Sequence, residues 1–314
     1  MRDAYFTALA ELAAEDPRVW ALTGDLGIGL FDPVEAAAPG RVLNVGIAEQ
    51  ALVGIAAGLA YAGKLPFAYS IAPFATSRPH DQIRVDVAMA GANVKLVGVG
   101  GGVAYGYLGP THHAIEDLAL MRSLPGMTVL APGDPDEARR ATRAAAEHDG
   151  PVYLRIGKNG EPRVLPADAG FRIGRALLLR DGGDVTLATT GTMLPETLDA
   201  ANRLEAAGVR ASVLHFGTVK PFDGDALLAA AARSATVVTV EEHSIVGGLG
   251  SAAAEVLAEN GVPARLKRLG LRDVFAHAVG SREHLLREYG LTADDIARTA
   301  LNLLGAADRE EIRV

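Results

Sequence analysis

Four stretches of the chain carry residue types that could do acid–base or recognition chemistry. Glu49 opens a helical run rich in Ala and Gly, within VLNVGIAEQALVGIAAGL (Val42–Leu59). A carboxylate in a first helical turn is stabilised by the helix dipole by about 0.3–1 kcal/mol. Held in a tight apolar setting instead, a carboxyl loses solvation, its pKa rises and it can share or pass on a proton. Position alone points to the dipole role, and the neighbouring motifs point to the proton role. Asp25 ends an apolar run in Gly24-Asp25-Leu26-Gly27, Phe74 lies in YSIAPFATSR, and His112 and His113 follow a glycine-rich stretch, Gly98–Gly109. Each comes after a predicted strand, and groups at the carboxyl ends of parallel strands line a common crevice. Adjacent histidines cannot easily face one ion and no acid stands at ligand spacing from them, so no metal site is expected. A G-x-S-x-G nucleophile elbow is absent as well.

The elements that must position these groups alternate. Tyr5–Ala14 reads as a helix, Val19–Gly24 as a strand, and Val42–Val45 as a strand turning at Gly46 into a helix in which Leu52, Ile55 and Leu59 recur at helical spacing. Phe67–Tyr69 is a short strand, Asp81–Ala90 a helix and Val94–Val99 a buried strand. Thr111 is expected to cap a helix running to Ser123, ended by Pro125 and Gly126. Strand Met127–Leu130, helix Asp136–Glu147 and strand Val152–Ile156 follow. Gly157–Arg172 has no period and reads as a linker. A second series then alternates strands Val185–Ala188, Ala211–His215, Thr236–Val240 and Ala264–Leu269 with helices Leu194–Ala207, Asp225–Ala232 and Ser251–Glu259, before closing helices at Arg282–Glu288 and Ala293–Leu304. The expected fold class is α/β, two doubly wound parallel-sheet domains over residues 1–165 and 173–314.

Composition limits the partners. A formal net charge of −8 argues against a nucleic-acid or anionic-membrane surface. With no cysteine, disulfide and thiol chemistry are excluded, which fits a reducing cytoplasm. The charged N-terminal stretch MRDAYFTALAEL is unlike a secretory signal, and no uncharged apolar run is long enough for a membrane span. A cytoplasmic protein is expected.

Three segments carry a resemblance. GIAEQ (Gly46–Gln50), PFATSRPHDQIR (Pro73–Arg84) and GPTHHAIEDLALMRSLPGMTVLAPGD (Gly109–Asp134) resemble the pyrimidine-binding domain of the transketolase family of thiamine-diphosphate enzymes. TVKPFD (Thr218–Asp223) and TVEEHSIVGGLGS (Thr239–Ser251) resemble that family's C-terminal domain, in a form close to deoxyxylulose-phosphate synthases. The diphosphate-binding domain, with its GDG signature, has no counterpart. The resemblance therefore implies the C-terminal subunit of a split transketolase, transferring a two-carbon ketol unit from a ketose donor to an aldose acceptor. Its cofactor would be thiamine diphosphate, with Mg²⁺ ligands on an N-terminal diphosphate-binding partner in an α2β2 complex.

The same resemblance suggests roles. Glu49 matches the glutamate that hydrogen-bonds the aminopyrimidine ring nitrogen, Phe74 the residue that stacks on the ring, and Asp25 an acid near the cofactor and the subunit contact. Ile71 falls where a second aromatic often lines the pocket. His112 matches a histidine that contacts the ketose donor, and His113 stands where the family often has Gln. Arg2 aligns with an arginine that grips the substrate phosphate, with Arg155 and Lys158 loosely in the same role. Leu108 replaces an aspartate that reads a sugar hydroxyl, and Gly29 and Gly100 replace a serine and a histidine that help bind phosphate. A buried hydroxyl facing Leu108 would lack a partner, at a cost of about 1–3 kcal/mol, so the usual pentose-phosphate pair is not the expected substrate. Three rivals are weighed beside this: the β subunit of a 2-oxo-acid dehydrogenase E1, an assembly-only partner, and a dinucleotide module read from Gly248-x-Gly250-x-x-Ala253.

Overall fold

Short runs dominated by Val, Leu and other apolar residues form the strands, because buried parallel strands need apolar side chains on both faces. The computed structural model describes residues 1–305; the far end of the expected second domain, 306–314, lies outside the described residues. The strands are β1 Val19–Thr23, β2 Val42–Asn44, β3 Leu65–Ile71, β4 Lys95–Val99, β5 Thr128–Leu130, β6 Val152–Ile156, β7 Leu177–Arg180, β8 Val185–Thr189, β9 Ala211–His215, β10 Thr218–Lys220, β11 Thr236–Ser244 and β12 Arg265–Leu271. They make a seven-stranded sheet, ordered β10-β5-β6-β4-β3-β1-β2, and a five-stranded sheet, ordered β12-β11-β8-β9-β7.

Helices cover both faces of the first sheet. Tyr5, Phe6 and Leu9 of helix Arg2–Glu15 join Ala138, Ala141 and Ala145 of helix Pro135–Glu147 in the core on one face. On the other face, Leu52, Val53 and Ala56 of helix Glu49–Tyr61 meet Val87, Leu118 and Met121. Helical chain over the expected Asp81–Ala90 stretch is a short turn, His80–Gln82, that widens into a π-helix, Ile83–Met89. There Tyr61 Oη donates to the Asp86 carbonyl at 2.5 Å, taking up one backbone acceptor from outside the helix.

Two details add to this α/β plan and one expectation is corrected. Each sheet carries one antiparallel edge strand, β10 on β5 and β7 on β9. Strand β10 comes from the second half of the chain yet completes the first sheet. Thr111 caps nothing: it sits in a 3-10 turn, Pro110–His112, and the helix begins later, at Asp117–Ser123. An isolated bridge between Gly102 and Ala114 holds the intervening chain as a loop, which is why the helix starts late.

The glycine-rich loop threads between the sheets. A Cβ on Gly101 would overlap the Arg155 side chain, and one on Gly102 (φ +66°) would overlap Glu242. Close approach, not flexibility, therefore accounts for these glycines. Glu242 accepts from the Val103 backbone N–H at 2.8 Å, from Thr192 Oγ1 at 2.9 Å and from Arg282 Nε at 2.9 Å. Arg155 donates to the carbonyls of Ala114 and Glu242, each at 2.8 Å, and its Nε lies 3.0 Å from Asp117 Oδ2. A second crossing joins His215 Nε2 to Glu137 Oε2 at 2.6 Å, both buried. These contacts fix the loop that carries His112.

Candidate active site

The carboxyl ends of β1, β2, β3 and β4, adjacent in the sheet, deliver Asp25, Glu49, Phe74 and His112 respectively. After β2 the chain turns through Gly46 in the left-handed region (φ +75°), which favours glycine, and enters helix Glu49–Tyr61. Glu49 is only 4% exposed. Its Oε1 lies 3.5 Å from Ser70 Oγ, and a Cβ on Gly24 would come within 3.9 Å of the same oxygen. Its Oε2 is 3.0 Å from Arg78 Nη1.

Arg78 also reaches Phe74. Its guanidinium carbon stands 4.3 Å from the centre of the half-buried phenyl ring, in cation–π range. His112 packs edge-on to the same ring, with centres 5.0 Å apart. The His112 imidazole pKa is pushed down by burial and then by the nearby positive charge of Arg78, and its Nδ1 lies 3.0 Å from Thr111 Oγ1. Tyr105 follows, 6.3 Å from His112 between ring centres, with Lys158 Nζ 4.9 Å over the Tyr105 ring. The Tyr105 ring lies where a side chain on Gly100 would be. The succession Glu49, Phe74, His112, Tyr105, Lys158 thus passes from acid to aromatic face to hydrogen-bonding rings to cation.

Other expected site residues divide. Asp25, in the left-handed region (φ +59°), is exposed and accepts from Asn44 Nδ2 at 2.8 Å. Ile71 packs partly buried on the core, and Leu108 is 53% exposed. The nearest acid to Arg2 Nε is Asp3, 3.7 Å away, and Lys158 forms no ion pair among the described residues. Arg155 does not belong to a substrate pocket. It is 4% exposed, its Nε paired by charge with Asp117 at 3.0 Å and its Nη2 donating to two backbone carbonyls, so it faces the interior. His113 also leaves the site. It is turned inward and buried, which pushes its imidazole pKa down.

Sequence reasoning missed Ser70, Arg78 and Tyr105 as site residues. Arg78 could have been found, since it lies four residues after Phe74 inside a quoted motif. Tyr105 could not, because only the folded loop brings it over Gly100. The dinucleotide rival fails on geometry. The N-terminus of helix Leu249–Glu259 is occupied by the chain's own Glu241, which accepts from Leu249 N–H at 2.7 Å and Gly250 N–H at 2.8 Å. A pyrophosphate would need those same donors.

Residues 1–161 match the family described as transketolase, pyrimidine binding domain, and residues 174–296 match transketolase, C-terminal domain. The chain belongs to the transketolase family. Its sequence is 45% identical, over 96% of this chain and 93% of the relative, to the 6-deoxy-6-sulfo-D-fructose transketolase subunit SqwH of Clostridium sp. (strain MSTE9). It is 41% identical, over 84% of this chain and 85% of the relative, to an apulose-4-phosphate transketolase subunit of Actinobacillus succinogenes. A solved structure described as a split gene transketolase, inactive beta4 tetramer, shares 42% identity and superposes with a TM-score of 0.88, covering 97% of this chain and 98% of that one. Members of the transketolase family are thiamine-diphosphate-dependent transferases, and this chain carries their pyrimidine-binding and C-terminal domains.

Proposed function

We propose that this chain supplies the pyrimidine half of a thiamine-diphosphate site in a split transketolase, with a separate subunit holding the diphosphate and its Mg²⁺. The observation that carries the reading is the pairing of a buried carboxylate, Glu49, with an aromatic face, Phe74, spanned by one flat cationic group, the Arg78 guanidinium. A site that accepts a planar hydrogen-bonding cation in that position fits an aminopyrimidine. When bound, thiamine diphosphate supplies a carbanion that carries the two-carbon unit.

The chain's own residues bind, orient and hold protons. Glu49, buried beside Ser70, would hold the pyrimidine ring nitrogen by a hydrogen bond away from bulk water. Phe74 offers the stacking face, worth roughly 0.5–1.5 kcal/mol beyond burial. His112, kept neutral by its surroundings, can both donate to and accept from donor hydroxyls. Arg2 and Lys158 receive a terminal anion, since charge-assisted hydrogen bonds are about twice as strong as neutral ones. Relatives are named for a sulfonated and a phosphorylated sugar, and both substituents meet that requirement. Leu108 makes xylulose 5-phosphate and ribose 5-phosphate poor substrates, and full turnover on that pair would remove this part of the reading.

The assembly in this reading is α2β2, with the diphosphate half of the site on a second subunit. It is supported by exposed apolar residues in the segments after β1 and β2, Ile28 fully exposed and Ile47 75%, and by the outward Ala51, Gly54, Ile55 and Gly58 of the site helix. The test is reconstitution with a diphosphate-domain subunit, followed by a donor and acceptor screen. The complex should turn over, the chain alone should not, and Glu49→Gln should cost about 10²-fold or more in kcat. A fully active Glu49→Gln complex would refute the assignment.

A further inference from the structure

Arg78 links two groups that the cofactor reading also needs. Nη1 lies 3.0 Å from Glu49 Oε2 while the guanidinium carbon rests 4.3 Å from the centre of Phe74. A guanidinium is planar, cationic, rich in in-plane N–H donors and able to stack on aromatic rings. A pyrimidine sharing a proton with Glu49 offers the same combination: a flat face for Phe74 and a donor edge for the carboxylate. The two groups compete. With Arg78 stacked on the ring and paired at 3.0 Å, no second flat group fits between that face and Oε2.

From this geometry we propose that Arg78 is a placeholder, closing the pyrimidine site and setting cofactor affinity by how readily it swings out. The inference rests on the Glu49 and Phe74 assignment made above and adds a residue that works against it. The motion needed is small. Gln50 Nε2 donates to the Arg78 carbonyl at 3.4 Å, and the following Pro79 restricts the backbone, so opening is a rotation of the side chain alone. The Arg78 side chain is 52% exposed, which gives it water to swing into, while Glu49 at the other end of the pair is 4% exposed. Such a pair taxes any ligand that must displace the guanidinium. If the open arrangement holds roughly a tenth of the population, the apparent affinity falls about tenfold.

Binding of thiamine to the full chain tests this by calorimetry. Thiamine carries the aminopyrimidine without the diphosphate, so the measurement needs no partner and no turnover. Arg78→Ala should bind thiamine about tenfold more tightly than the parent, equivalent to ~1.4 kcal/mol. Adding Glu49→Ala to that variant should abolish the gain. Arg78→Ala binding no more tightly than the parent, or more weakly, overturns the placeholder. If Glu49→Ala still abolishes parent binding in that case, the cofactor assignment stands without it. Absence of saturable thiamine binding in every variant overturns both.

Discussion

At the scale of single residues, His112 shows how a neighbour sets a charge. Burial and Arg78 both hold its imidazole pKa below the ordinary value, so it is neutral at neutral pH. Arg78→Ala removes the second cause and should move that pKa upward, toward the usual histidine value, in an NMR titration. Acidification of the parent charges the ring beside Arg78, so donor affinity in the assembled enzyme should fall on the acid side; a flat profile would argue against contact with the donor. Glu49, Phe74 and His112 were legible because each follows a strand end, and a parallel sheet forces such positions together. The burial of Arg155 and His113 was not legible, for the opposite reason. Asp117 lies far from Arg155 in sequence, and no local pattern announces the pair.

At the scale of elements, the glycine-rich loop was visible as composition, but its cause was not. Gly102 combines φ +66° with a Cβ position that overlaps Glu242, so Gly102→Ala should cost about 2–4 kcal/mol. Gly40, at φ +77° with open space around it, should show only the backbone part, about 1–2 kcal/mol. Urea unfolding of the two variants separates the effects. At the opposite end of the sheet, burial lowers the pKa of Lys95, at the start of β4, to about 7, although its Nζ donates to the His148 and Gly150 carbonyls at 2.7 Å each. Its unfolded pKa is near 10.4, so the unfolded chain binds more protons between the two values and stability rises with pH across that window. The parent should gain stability from about pH 7 to 10, and Lys95→Met should flatten that slope in urea titrations. Strands β7 and β10 went unread because three or four residues carry too little alternation to stand out, and their pairing partners are distant in sequence.

At the scale of the whole molecule, Glu242 holds the halves in register. It is buried and bonds the glycine loop, Thr192 and Arg282 at once. Breaking such a buried pair costs about 3–5 kcal/mol, chiefly because the surviving charge is stranded. Glu242→Ala should therefore lower the melting temperature and split one calorimetric transition into two; a single unshifted transition would show that the sheets are coupled elsewhere. The linker composition made the two-part plan readable. It did not reveal that β10 returns to pair with β5 across the boundary.

That returning strand has a consequence for how the chain can be cut. Severing it after residue 165 would leave the backbone of β5 unzipped along one side, and such a bare margin invites other chains to stack on it. The upstream piece would precipitate, and the downstream piece would trail a ribbon with nothing to clasp. Mixing the two in equal amounts should restore a clear solution, as each supplies the hem the other lacks.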